Sequence, residues 1–163
     1  MNANKLQRMA DKMAIRTTLD RYCRGMDRAD RKLAESAFVE DASIHYYGLH
    51  QGTTQTFVDW AWDTHSSLWR IRHQVDNLII TLDGDTASSE AYVTVVLWTQ
   101  APNVAEVCSR GRYLDRWRKV EGHWRITHRE YVLDMQSVNG KPNVAAVNNE
   151  LTRDSSDPSF RFI

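Results

Sequence analysis

Apolar residues recur along the first part of the chain at helical spacing. Leu6, Met9, Met13, Ile15, Leu19, Tyr22 and Met26 share one predicted face, so an amphipathic helix is expected from about Asn4 to Met26. Gly25 stands where a helix can end without steric cost. Asp30 is placed to cap a short second helix, Arg31 to Phe38. Ala42 to Tyr47 is rich in β-formers, and Gly48 to Gly52 turns the chain. Thr53 or Thr54 caps a third helix reaching about Leu68, with Phe57, Trp60, Ala61 and Thr64 on a common side.

The period then changes to two. Arg72 to Leu82 reads as a strand, and Asp83-Gly-Asp85 is a turn. Thr86 to Gln100 is a long strand in which Val93, Val95 and Leu97 alternate against Tyr92, Thr94, Val96 and Trp98. Pro102 and Asn103 break it. Ala105 to Val120 and His123 to Gln136 are two further strands joined at Glu121-Gly122. Three helices followed by four long antiparallel strands is an α+β plan. A strongly curved sheet wrapped around the helices leaves a funnel, and ligand pockets tend to form in such mouths. One domain is expected over 1–136. Residues 137–163 are polar with no clear period, a tail expected to pack on the surface or on a neighbouring subunit.

Composition narrows the function more than the fold. The 163 residues carry 21 Lys+Arg and 21 Asp+Glu, a formal net charge of zero. That balance lacks the basic excess of a nucleic-acid binder and predicts no large steering field. No apolar run approaches the ~20 residues needed to cross a bilayer, and the polar start does not read as a secretion signal. Cys23 and Cys108 have no CxxC spacing and are expected as reduced thiols of a cytoplasmic protein. Six Trp and six His in a small neutral domain supply pocket-lining rings and groups that titrate near neutrality.

No HxH, HExxH or His–carboxylate cluster has metal-ligand spacing, so no metal is expected. A dinucleotide or phosphate-binding glycine loop is missing too, as is a nucleophile elbow, so no cofactor is expected. Acid–base chemistry by Asp and His is what remains. Asp27 lies just beyond the first helix, either as a cap or, since Asp30 is the better cap, free for another task. His73 opens a strand and by alternation shares a face with Val75, Asn77 and Ile79. It is either a satisfied structural residue or, beside a carboxylate, a general base. Arg129 faces the same way as Arg125, Thr127, Tyr131 and Leu133. It either binds an anionic group or pairs with Glu130 or a cross-strand acid. Arg110, Arg112, Arg116 and Arg118 share one strand face, solvated or between subunits.

The order of these segments is familiar. Arg21-Tyr-Cys-Arg-Gly-Met-Asp27-Arg-Ala-Asp30 is followed by Phe38-Val-Glu-Asp-Ala42, His73-x-x-x-Asn77 and Asp83-Gly-Asp85. Gly111-Arg-Tyr-Leu-Asp-Arg-Trp117 and Gly122-His-Trp-Arg-Ile126 complete the set. Together they resemble the SnoaL-like branch of the nuclear transport factor 2-like superfamily. Within it they are most similar to the scytalone dehydratase, bile-acid 7α-dehydratase and hexachlorocyclohexane dehydrochlorinase group. The resemblance implies a cone-shaped α+β barrel, with N-terminal helices packed in a strongly curved, mostly antiparallel sheet.

It also implies a cofactor-independent lyase acting on a hydrophobic cyclic molecule such as a steroid, terpenoid or polyketide. His73 would remove a proton, Asp27 would orient it, and Tyr22 and Arg129 would act near the leaving group. By the same resemblance Tyr46, Tyr113 and Glu90 would contact substrate. An isomerase or cyclase with the same dyad is an alternative. So is a non-catalytic subunit like the small subunit of ring-hydroxylating dioxygenases. A homo-oligomer is expected, a trimer before a dimer.

Overall fold

A computed structural model describes residues 3–143 and 152–163. The first helix, α1, spans Ala3–Asp27 and a short α2 follows at Arg31–Glu35. Strands β1 (Phe38–Tyr46) and β2 (His50–Thr53) precede helix α3 (Thr54–His65). Four long strands complete the body: β3 (Leu68–Asp83), β4 (Thr86–Thr99), β5 (Glu106–Val120) and β6 (His123–Val138). A two-residue strand, β7 (Lys141–Pro142), and a 3₁₀ turn at Pro158–Arg161 follow.

The strands form one curled, unclosed sheet in the order β2-β1-β6-β5-β4-β3, with β7 paired to β6. All pairs are antiparallel except β1 with β6, which is parallel. This is the mixed α+β cone expected from the sequence. Helix α1 fills its concave face. Ile15, Leu19, Tyr22 and Met26 are buried there with Val75, Val93, Tyr113, Trp117, Trp124 and Ile126. Asp30 caps α2 by accepting from Leu33 N–H at 3.1 Å. At Gly25 a Cβ would lie 2.6 Å from the backbone nitrogen of Ala34, so only glycine lets α2 fold back this tightly on α1.

Several expectations need correction. Leu6, Met9 and Met13 are 51 %, 55 % and 66 % exposed, because α1 runs past the sheet before its buried stripe begins at Asp11. Helix α2 stops at Glu35, and the chain has already become β1 at Phe38. The Gly48–Gly52 turn is shorter than expected, since His50 to Thr53 pair back onto β1. Strand β3 starts at Leu68, which shortens α3 and places Trp69 and Arg70 in the sheet. The alternation of β3 fails beyond Val75. Asn77 takes φ 44°, the register slips between Asp76 and Ile79, and Ile79 turns outward while Leu78 and Ile80 pack on the core.

The last residues lie on the outer, convex face of the sheet. Phe162 is buried against Leu114 and Val132, and His128 stacks on its ring. Arg112 clamps Asp157 through two hydrogen bonds of 2.8 and 2.9 Å. Hydrogen bonds from Arg112 hold the Asp157 carboxyl well below the usual carboxylate range, against the opposing pull of burial. A depressed carboxylate stabilises the fold above its unfolded pKa and loses that contribution as the pH falls. Asp157→Asn should therefore cost about 1–3 kcal/mol at neutral pH. In urea midpoints measured across a pH series, the gap from wild type should close as the solution is acidified through the carboxylate range.

Candidate active site

Two residues predicted to act together meet at the open edge of the sheet. Strand β3 is an edge strand, so its outward N–H and C=O groups have no neighbouring strand. Helix α1 supplies the missing partners. Asp27, its last residue, accepts from the His73 backbone N–H at 2.9 Å through Oδ1 and 3.1 Å through Oδ2. Arg16 donates to the carbonyl of Val75 at 3.0 Å. The same Asp27 Oδ1 lies 2.7 Å from His73 Nδ1. An ionised carboxylate only accepts, so Nδ1 carries the hydrogen and Nε2 of a neutral ring keeps its lone pair. Nε2 has no partner among the described residues, yet it is not a sealed atom.

Three adjoining cavities open around this pair and share Asp27 and Arg28. One of about 330 Å³ is lined by Met26, Trp62, His65, Leu68, Trp69 and Ile71 among others. A second, of about 290 Å³, touches Cys23, Arg24, His73 and Val75. The largest, about 660 Å³, runs past Trp69, Arg70, Ile71, Arg72, His73 and Trp98.

Behind His73 lies a buried polar knot. The edge of Tyr22 meets the imidazole at a centroid distance of 6.4 Å, and the Tyr22 and Tyr46 hydroxyls are 3.2 Å apart. Arg129 sits between the aromatic rings, its guanidinium 3.9 Å from the centre of Tyr113 and 4.6 Å from that of Tyr22. Strand register places Asp115 opposite Arg129, and the carboxylate takes two hydrogen bonds of 2.7 and 2.8 Å. Both side chains are fully buried. Burial alone would lower the Arg129 pKa, but Asp115 raises it well above its ordinary value. Burial pushes the Tyr22 and Tyr113 hydroxyls well up, so both stay protonated. Arg129 Nη1 is the one buried side-chain polar atom without a partner among the described residues.

Of the residues singled out from the sequence, Asp27, His73, Tyr22, Tyr46, Tyr113 and Arg129 form this one connected group. Glu90 does not join it. It stands on the outer face, 3.3 Å from Arg112.

Residues 7–130 match the model of the SnoaL-like domain. The chain belongs to the SnoaL-like family. No curated protein matches it. Among solved structures, this SnoaL-like domain is similar to a scytalone dehydratase-like protein from Novosphingobium aromaticivorans. The TM-score is 0.74 and the identity 18 %, covering 80 % of this chain and 88 % of the other. A hexachlorocyclohexane dehydrochlorinase, LinA-type3 from Novosphingobium barchaimii, gives 0.73 at 15 % identity, covering 88 % and 97 %. A protein of unknown function from Mycobacterium tuberculosis gives 0.71 at 25 % identity, covering 96 % and 86 %. The first two likenesses, at such low identity, establish the shared fold.

The sequence reading missed the residues that line the SnoaL-like domain's open cavities. Trp62 and His65 are one helical turn apart at the end of α3, a spacing that puts both on one face. Trp69 and Arg70 lie ahead of Arg72, where the sequence places the start of the strand, so the misplaced boundary hides them. Burial, with a smaller electrostatic contribution from nearby His73, lowers His65 to about 4, which leaves it neutral at physiological pH.

The Asp115–Arg129 pair gives this arrangement a clear energetic signature. Asp115→Asn should cost about 3–5 kcal/mol in chemical denaturation, because it strands a buried guanidinium. Replacing both partners with apolar residues of similar volume, Asp115→Leu with Arg129→Met, should recover most of that loss.

Proposed function

We propose that this SnoaL-like domain is a cofactor-independent lyase whose base is the Asp27–His73 pair. The observation that carries this reading is the double hold on Asp27. The carboxylate is fixed by the His73 backbone N–H and in turn fixes the imidazole, leaving Nε2 unpartnered beside the cavities. His73 Nε2 removes a proton from a carbon next to a carbonyl. The electrons of the C–H bond form the carbon–carbon double bond, and the β-oxygen leaves with its bonding pair and becomes water on protonation. Asp27 stabilises the imidazolium formed in the first step. The Tyr22 hydroxyl and Arg129 Nη1 stabilise the departing oxygen or the developing enolate when a substrate reaches between α1 and the sheet. Rings of Trp62, Trp69 and Trp98 suit an apolar cyclic substrate, in keeping with the dehydratase-like and dehydrochlorinase structures of the same fold.

One observation favours a second reading, a non-catalytic binding subunit. Tyr22, Tyr113 and Arg129 are no more than 1 % exposed, and Tyr46 is 8 % exposed, so the polar knot is closed off from the cavities. Incubation with cyclic β-hydroxy ketones in heavy water separates the readings. A lyase gives up the removed proton to the base and yields a product lighter by one water; an isomerase leaves the mass of the unlabelled skeleton unchanged and gains deuterium at the carbon it reprotonates. His73→Ala and Asp27→Asn should each lower kcat by about 10²–10⁴-fold with circular dichroism retained. Near-native turnover by either variant overturns the assignment, and a ketone that binds but neither loses water nor exchanges deuterium supports the binding subunit.

A further inference from the structure

Some arginines elsewhere in this fold meet acids, whereas Arg21 and Arg125, which line another cavity, and Arg116, packed on Phe162, do not among the described residues. Arg31 pairs with Glu35 and Asp59, Arg112 with Asp134 and Asp157, and Arg129 with Asp115. The two cavities that touch His73 are lined instead by Arg24, Arg28, Arg70 and Arg72, none of which makes an ion pair among the described residues. The lining carboxylates are already engaged. Asp20 accepts from Arg16 at 3.1 Å, and Asp27 holds the His73 N–H and Nδ1.

Two of the four arginines are oriented by other means. Arg28 donates to the backbone carbonyl of Asp27 at 3.1 Å, and the guanidinium of Arg70 lies over the Trp69 ring at 4.6 Å. A stacked guanidinium keeps its edge N–H groups available, in the planar fork that suits carboxylate and phosphate oxygens. A chain that is neutral in sum therefore gathers four arginines without ion-pair partners among the described residues around the cavities beside its dyad.

We propose that the substrate carries an anionic group, a carboxylate or a phosphate ester, bound by Arg28, Arg70 and Arg72 in the 660 Å³ cavity. This rests on the reading of His73 as the base. The Asp27 carboxylate repels a second anion, so the charged group lies toward Arg70 and Arg72. The apolar ring of the substrate then lies along Ile71, Trp69 and Trp98 and brings its reacting carbon to His73. The cluster thus selects an acidic cyclic substrate over its neutral analogue.

Isothermal titration calorimetry with 2-naphthoate, 2-naphthyl phosphate and the neutral isostere 2-naphthamide tests this on the whole chain. At least one anion should bind about tenfold more tightly than the amide, the difference made by one charge-assisted contact. Which anion does so separates a carboxylate from a phosphate ester. Added salt should shrink the advantage. Arg72→Gln and Arg70→Gln should bring the affinities of anion and amide together, whereas Arg118→Gln on the outer face should not. His73→Ala should keep the preference, so a failed lyase assay with anion selectivity intact would remove the base but leave the anion site. Equal affinities for the amide and both anions, or a preference untouched by either cavity substitution, overturns the proposal.

Discussion

A single carboxylate at the end of α1 performs two tasks that the open sheet makes necessary. An unclosed sheet leaves β3 with a row of backbone groups that a closed barrel would pair, and bare edges invite association with other strands. Asp27 and Arg16 reach from the helix to satisfy that edge at His73 and Val75. The helix is thereby tied to the sheet at the position where the imidazole projects. Since the Asp27 Oδ1 that takes the backbone N–H also takes Nδ1, the ring cannot turn without disturbing the edge. Orientation of the candidate base is a by-product of closing the fold. That coupling is firmer than a side-chain hydrogen bond alone, because the backbone of β3 is itself fixed along its length by β4.

Much of this was legible because local rules happened to agree with the tertiary outcome. Gly25 and Asp30 bracket Asp27, so the helix end could be placed within a residue, and Asp30 does take the capping role that frees Asp27. Arg129 had two readings, anion binder or partner of a cross-strand acid, and Asp115 now provides the acid. The two are not exclusive, since the pairing uses Nε and Nη2 and leaves Nη1 over.

What stayed hidden depends on distances between elements that no local pattern encodes. Leu6, Met9 and Met13 have faultless helical spacing, but coverage requires a sheet long enough to reach them. The sheet ends near Asp11, where Trp124 and Lys119 bind the carboxylate. A bulge at Asn77 reverses the facing of Ile79, and a sequence of alternating residues gives no sign of one extra position. Glu90 shows the limit of carrying a role across by resemblance. Its strand position is outward, where Arg112 provides the nearest cation.

The closed polar knot and an active site beside it are compatible on energetic grounds. A buried N–H without a partner costs about 1–3 kcal/mol, a penalty that a well-packed apolar core would avoid. Arg129 Nη1 carries that penalty in the closed arrangement. Asp115 fixes the guanidinium from the sheet side through two hydrogen bonds, so the cation keeps its position if the rings around it move. Tyr22 and Tyr113 bound it only through ring faces and edges, contacts that rotamer changes can exchange. A ligand oxygen reaching Nη1 would relieve the penalty and meet a donor already in place, with no charge to reorganise. The Tyr46 hydroxyl, whose pKa burial pushes up and the Arg129 guanidinium pulls back down, is the oxygen that eases that penalty in the closed arrangement.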